Sequence, residues 1–263
     1  MKCGINSISG HRHAIRPRII VHSLCLLAAL ALLAAGGRPA AAIEPGKYVR
    51  ERGTGTLVIE KMEDGRASFS IVSVGDNGHT CTVDGTINGN EGRPKYDDSG
   101  CRISFVGKDA VLTIPPLSGE CDKSNYCGMR ASFDGEYRIP PPDCTTSARQ
   151  IVRDRFITQY KSRNFQKARA ALEGLLEKCS FFIRWIAMDD IRNDLALAQF
   201  HDGDPNACLT TLSATYAGRN GEDDFFLPPV DMTDYERVAR ATWHNQALCR
   251  KATTTARPDD TAP

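Results

Sequence analysis

The hydrophobic period of this 263-residue chain switches once, at "IPPPDC" (residues 139–144), and that switch restricts the fold more than any single motif does. Before it, from Lys47 to Ile139, apolar residues recur at every second position between Gly, Asn and Asp. "GTLVIEKM", "EDGR" and "ASFSIVSV" read as a hairpin, because Asp64-Gly65 is a strong two-residue turn signal. "HTCTVDGTI" follows the turn "DNG" and leads into "NGNEG"; "CRISFVG" and "AVLTIP" form a second hairpin around "KD"; "RASFDGEYRI" closes the series. With a first strand around Tyr48, seven or eight short strands fall within about 95 residues, as in a small antiparallel barrel or sandwich. The three prolines then end the last strand, since proline removes a ladder donor and favours an extended connection.

After the prolines the period is helical. Ile151, Phe156, Ile157 and Tyr160 mark one helix; Phe165, Ala168, Leu172, Leu175 and Leu176 a second; Trp185, Ile186, Ile191, Leu195 and Ala198 a third; Cys208, Leu209 and Leu212 a fourth. A last helix runs from about Asp231 to Lys251. The short joints "SRN" and "HDGDP" favour antiparallel neighbours. Two of these hairpins resemble tetratricopeptide (TPR) repeats, with Tyr160, Phe165, Ala168, Leu172 and Leu175 in one and Ala196, Phe200, Gly203, Asp204, Cys208 and Leu212 in the other. Ala168 and Cys208 lie 40 residues apart, against about 34 for the standard repeat. The expected architecture is α+β in two domains. An antiparallel β-barrel or sandwich spans residues 43–139, a proline-rich linker 140–145, a TPR-like helical bundle 146–252 and a disordered tail 253–263.

Residues 1–42 read as a secretory signal peptide. They hold five basic and no acidic residues, an apolar run "IIVHSLCLLAALALLAA" and a small-residue box ending near Ala42. Cleavage there leaves no membrane span and places the mature chain in the periplasm or outside the cell. It also changes the charge from 33 basic against 32 acidic residues to 28 against 32, a net −4. That balance argues against a nucleic-acid partner, which needs a basic surface.

Export also explains the cysteines. Without Cys3 and Cys25 eight remain, an even number that reads as four disulfides: Cys81, Cys101, Cys121, Cys127, Cys144, Cys179, Cys208 and Cys249. In a helical hairpin the start of one helix lies beside the end of the next, so Cys144 pairs with Cys179. The last helix runs antiparallel to the fourth, so Cys249 pairs with Cys208. In the β half the short spacing predicts a local Cys121–Cys127 bridge, leaving Cys81–Cys101 across neighbouring strands. Five intervening residues and no nearby histidine fit neither structural zinc nor a Cys-x-x-Cys dithiol.

No residue set assembles a catalytic, cofactor or metal site. "HDGD" (residues 201–204) reads as a helix-to-helix turn, with Gly203 left-handed and Asp204 capping the next helix. Asp190 and Asp194 read as a solvated helix face with Arg192. Ser73, Asp76 and His79 are adjacent along the chain but lack triad geometry. There is no Gly-x-Ser-x-Gly elbow and no phosphate loop. The chain therefore reads as a non-enzyme without cofactors.

The β half resembles a Cys-stapled domain of exported proteobacterial proteins, including those described as LprI-type lysozyme inhibitors. The resemblance is carried by Cys81 after Gly-His-Thr, by Cys101, and by Cys127-Gly128 leading to Phe133, Gly135 and Tyr137. It covers about 95 of the 221 mature residues, and the small Cys-containing helical module of those inhibitors is replaced here by the TPR-like half. The resemblance implies a periplasmic, non-enzymatic binding domain directed at lysozyme. The residues themselves leave two functions open. One is inhibition of a lysozyme-like cell-wall hydrolase through turn residues Asp76, Asn77 and His79, or Lys123, Asn125 and Tyr126. The other is a cell-envelope interaction or assembly role for the helical face around Phe156, Tyr160 and Phe200.

Overall fold

The computed structural model describes residues 43–62, 65–75, 78–108, 110–121, 126–221 and 227–255. The expected signal peptide and residues 256–263 of the expected tail lie outside these. The first half is one antiparallel meander: β1 (Gly46–Arg50), β2 (Gly55–Lys61), β3 (Ala67–Val74), β4 (Thr80–Asn88), β5 (Glu91–Pro94), β6 (Ile103–Ser104), β7 (Val106–Lys108), β8 (Val111–Ile114) and β9 (Gly135–Arg138). The sheet order is β6-β5-β4-β3-β2-β1-β9-β8-β7, so each strand lies beside its neighbour in sequence and β9 returns to β1. The two outermost strands of that order are separated only by Phe105. One bent segment thus pairs with β5 through its first half and with β8 through its second, and the sheet curls into a nearly closed barrel.

Alternation fills the interior. Leu57 and Ile59, Phe69 and Ile71, Cys81, Val83 and Ile87, and Leu112 and Ile114 all point inward and are buried. Phe105, at the bend, meets Phe69 edge-on at 5.3 Å between ring centroids. Tyr137 is fully buried and donates its hydroxyl hydrogen to the Phe133 carbonyl at 2.6 Å, closing the β8–β9 connection onto the core. Tyr137→Phe removes that donor and strands a buried carbonyl. It is expected to cost about 1–2 kcal/mol in urea melts with an unchanged dependence on denaturant.

The second half packs helices α1 (Thr146–Lys161), α2 (Phe165–Cys179), α3 (Trp185–His201), α4 (Pro205–Ser213), α5 (Tyr216–Asn220) and α6 (Pro229–Thr255). The helix starts follow the capping chemistry of their sequences. Thr145 accepts from Ala148 N–H at 3.3 Å, Asp204 from Ala207 N–H at 2.9 Å with Pro205 behind it, and Thr215 from Gly218 N–H at 2.9 Å. Gly203 takes the left-handed φ of 87°, so "HDGD" is the helix-to-helix turn expected. α1 and α2 pack together, as do α3 and α4, and α6 lies along both α3 and α4. The aromatic rings expected on an open helical face are packed among themselves. Phe156 is buried against Tyr160, and Tyr160, Phe165, His201 and Phe200 continue the chain of ring contacts, with centroid spacings of 4.8–5.7 Å between neighbours.

Asp190 and Asp194 differ from expectation. They do not share a solvated face with Arg192, which instead pairs with Asp189 at 2.9 Å. Arg153 of α1 bridges both at 2.9 Å, and Arg237 of α6 reaches Asp190 at 2.8 Å. The helix packing that brings α1 and α6 alongside α3 supplies these cations.

The barrel and the helices form one compact unit. The connection after α2 lies against the barrel wall. Val49 of β1 packs onto the helical core, and the Arg138 guanidinium of β9 sits 4.3 Å from the centre of the Phe181 ring.

All eight cysteines among the described residues are bonded. Cys144–Cys179 and Cys208–Cys249 tie the helices as the hairpin geometry predicts. The two barrel bonds are Cys81–Cys127 and Cys101–Cys121, not the predicted Cys121–Cys127 and Cys81–Cys101. The reason lies in the ladder. β5 pairs only with residues 85–88 of β4, so the first residues of β4 have a free edge. The 126–128 segment fills it, placing Cys127 directly opposite Cys81 with 4.0 Å between Cα atoms. Four disulfides mark an oxidising environment, extracellular or periplasmic. Among the described residues no helix is long and apolar enough to cross a membrane.

Candidate functional site

The connections of the barrel are unequal. At one end the turns are short: residues 62–66 join β2 to β3, 89–90 join β4 to β5, and 109–110 join β7 to β8. The other end carries residues 51–54, 75–79, 95–102 and the 20-residue connection 115–134. Both barrel disulfides lie there. Long loops on a rigid scaffold are where binding residues concentrate, and here cystines hold them in place.

Cys121 and Cys127 are each fastened to a different element. Cys121 is bonded to Cys101, just before β6, and Cys127 to Cys81 in β4. Thr82 N–H donates to the Tyr126 carbonyl at 2.9 Å and Gly128 N–H to the Thr80 carbonyl at 2.9 Å, completing the short ladder around the cystine. This ladder brings together residues of the two turns that the sequence singled out. His79 lies across Gly128: a Cβ at position 128 would stand 2.7 Å from His79 Nδ1, so the close approach requires glycine. Tyr126 sits on the other side of the same cystine, two residues from Gly128. Asp76, Asn77, Lys123 and Asn125 lie outside the described residues.

Tyr126 and Asp97 form a polar corner between the two disulfides. Asp97 accepts from Ser99 N–H at 2.9 Å and from Cys101 N–H at 3.0 Å, which shapes the β5–β6 loop next to the second cystine. Hydrogen bonds from Ser99 lead in holding its carboxyl below the usual carboxylate range. Burial, reinforced by the Asp97 charge, pushes the Tyr126 phenol up to about 12, so it stays protonated at any physiological pH. Ser73 lies on the inner side of the same end, fully buried, and donates to the Ser132 carbonyl at 2.8 Å. It serves as a latch on the 115–134 connection, and its hydroxyl faces a backbone carbonyl instead of a histidine. Gly78 reaches the helical half, against Pro228 and Val230 at the start of α6.

The sequence pointed to His79 and Tyr126 through their turns and to Gly128 only as part of the resemblance, but it did not reveal Asp97. Asp97 is one of two acidic residues in "YDDSG", and only its two backbone donors set it apart. A wider concavity of about 630 Å³ lies on the outer face of β2–β5. Strand side chains form its walls, and Glu60 and Asp84 offset Arg93 and Lys95 around it. The cystine-fastened loops give the barrel end the stronger claim as a recognition surface.

Fold and site together define a disulfide-bonded antiparallel barrel, elaborated at one end and backed by helical hairpins. No family model matches this chain, and it matches no curated protein and no solved structure.

Proposed function

We propose that this chain is an exported, non-enzymatic binding protein of the cell envelope. Its cystine-pinned barrel end takes a protein partner, and a lysozyme-like cell-wall hydrolase is the partner class that the LprI-type resemblance implies. The observation carrying this reading is the asymmetry of the barrel. Its interior is filled with side chains, its other end has tight turns, and both β-half disulfides fasten the long connections at one end. Pre-fastened loops lose little conformational freedom on binding, which favours recognition of a folded partner.

The helices serve as a platform for the barrel. A TPR-like arrangement of their two hairpins is supported by Ala168 and Cys208, which occupy matching places and are both fully buried. The rings a TPR-type concave face would offer are engaged with one another, which favours the barrel end as the contact surface. Signal cleavage near Ala42 belongs to the same proposal and is read directly from the N-terminus of protein recovered from the periplasm.

The test uses the mature chain, residues 43–263. Titrated into lysozyme it is expected to bind and to slow cell-wall hydrolysis. The triple substitution Lys123→Ala, Asn125→Ala, His79→Ala should weaken that binding at least about tenfold, the loss of roughly one or two good contacts, without shifting the melting temperature. A mature chain that neither binds nor slows the enzyme ends the hydrolase reading. Binding untouched by the triple substitution moves the contact away from this end.

A further inference from the structure

Three arginines converge on a small pocket beside the pinned loops, at the β1–β2 turn. Arg50, Arg52 and Arg130 line a cleft of about 190 Å³ together with Thr54, Gly75 and Ser132. Two features mark these cations. First, among the described residues none of the three lies within ion-pair distance of a carboxylate, as nine other arginines do; Arg149, Arg155, Arg163, Arg219 and Arg250 also lack such a partner, but only these three share one cleft. Among the described residues Glu51 is the one acid lining the cleft, which leaves these at +2 by formal charge within a mature chain of −4. Second, Arg52 and Arg130 both hold left-handed backbone, at φ 56° and 61°. A long L side chain in that region costs about 1 kcal/mol or more and persists only where the surroundings impose it. Two such residues from distant parts of the chain share one cleft.

The surroundings do impose it. The turn carrying Arg52 is clamped onto the helical half. Gly53, itself at φ 61°, lies so close that a Cβ there would meet the Phe182 carbonyl at 3.0 Å and the Arg184 nitrogen at 3.1 Å. The segment carrying Arg130 is held by the Cys81–Cys127 bond, by Ala131 N–H to the Gly128 carbonyl at 3.0 Å, and by the Ser73 latch on Ser132. Arg50 is oriented by its own donors, from Nε to the Asp134 carbonyl at 2.7 Å and from Nη1 to Thr54 Oγ1 at 3.4 Å. Its remaining N–H groups are available to a ligand. Planar guanidinium forks pair best with planar, bidentate carboxylates. The small volume and single net excess of two charges suit one carboxylate group better than a polyphosphate.

We propose that Arg50, Arg52 and Arg130 form a carboxylate-binding site, preorganised by the docking of the barrel on the helices. The ligand group is a carboxylate borne either by a small free acid or by an acidic peptide side chain. The site stands independently of which macromolecule the pinned loops take.

Asparagine accepts left-handed backbone better than arginine. Arg52→Asn/Arg130→Asn therefore removes two cations without disturbing the fold, and its melting temperature should equal or exceed that of the parent. The mature protein is titrated at fixed ionic strength with glutarate, with the peptide acetyl-Gly-Glu-Glu-Gly-amide and with its Gln-Gln counterpart, and binding is read from amide chemical shifts. Saturable shifts at residues 50–54 and 130–132 are expected with the Glu peptide, with glutarate or with both, and none with the Gln peptide. Affinity should fall at least about tenfold in the double variant, as loss of charged hydrogen bonds implies. Arg155→Gln, a substitution of an exposed arginine on α1, should leave it unchanged. Response to glutarate alone identifies a free-acid site, and response to the Glu peptide identifies an acidic-side-chain site. The proposal is overturned if neither carboxylate binds, if the Gln peptide binds equally well, or if the double variant binds as the parent does.

Discussion

Serine at both Cys81 and Cys127 should lower stability by about 4 kcal/mol, because the bond closes a loop with a sequence separation of 46 residues and removes that freedom from the unfolded chain. For a protein of this size the corresponding fall in melting temperature is about 10 °C. The loss has a local signature as well. The Thr82 and Gly128 amides, which now bond across the cystine, should exchange with solvent much faster in the variant. Loss of the Cys101–Cys121 bond, with a separation of 20, should cost less, about 3 kcal/mol on the same chain-entropy scaling. The connectivity itself is read from a non-reducing digest, in which the peptide holding Cys81 must be linked to the peptide holding Cys127. A Cys121–Cys127 peptide would refute the pairing, and unchanged amide protection in the double serine variant would refute the fastening role assigned to it.

That pairing also shows what sequence patterning reaches and what it does not. Cys144–Cys179 was deducible because a helical hairpin sets the start of one helix beside the end of the next, and Cys208–Cys249 because the last helix runs antiparallel to the fourth. In the β half, spacing along the chain favoured a local bridge between Cys121 and Cys127. Cys127 finds Cys81 instead because β5 stops short and frees the edge of β4, a fact of long-range ladder pairing that spacing does not encode. β2 and β3 were plain from alternation and the Asp-Gly turn. β5 was hidden because "EGRP" contains both glycine and proline, and it is a strand only by pairing with β4 and β6. The bend at Phe105, which closes the barrel, reads in sequence as an unbroken strand. The candidate site was legible as two turns around His79 and Tyr126. Their meeting across one cystine, and the left-handed arginines beside them, depend on tertiary constraint that overrides local preference.

Replacing Arg153 by methionine should cost about 3 kcal/mol at neutral pH, the lower part of the range for removing one partner of a buried ion pair, because the group keeps some solvent contact. The guanidinium lies between α1 and α3 and serves Asp190 and Asp194 from one nitrogen, at 2.9 Å each, while Arg237 of α6 holds only Asp190. The two carboxylates are driven in opposite directions. Burial acts against ionisation at Asp190, but hydrogen bonds from Arg237 and Arg153 outweigh it and its carboxyl lies below the ordinary range. At Asp194 burial prevails over the attraction of Arg153, and the neighbouring Asp190 charge adds to it, so its carboxyl lies above that range. The depressed Asp190 contributes stability that is present above the unfolded carboxylate range and lost as pH falls through its folded value. The raised Asp194 contributes in the opposite sense, with stability present at low pH and lost as pH rises through its folded value. The two offset each other in the parent across the acidic range. Methionine at 153 fills much of the same volume but leaves Asp194 without its cation, raising that carboxyl further while Asp190 keeps Arg237. The variant's deficit should therefore be largest at pH 7 and shrink toward pH 4, where Asp194 takes up its proton. Urea melts of both proteins at the two pH values measure this directly. A deficit of equal size at both would mean that Arg153 acts by packing alone. Adding Asp194→Asn to Arg153→Met should recover part of the loss at pH 7, because it removes the half-buried charge left without its Arg153 partner.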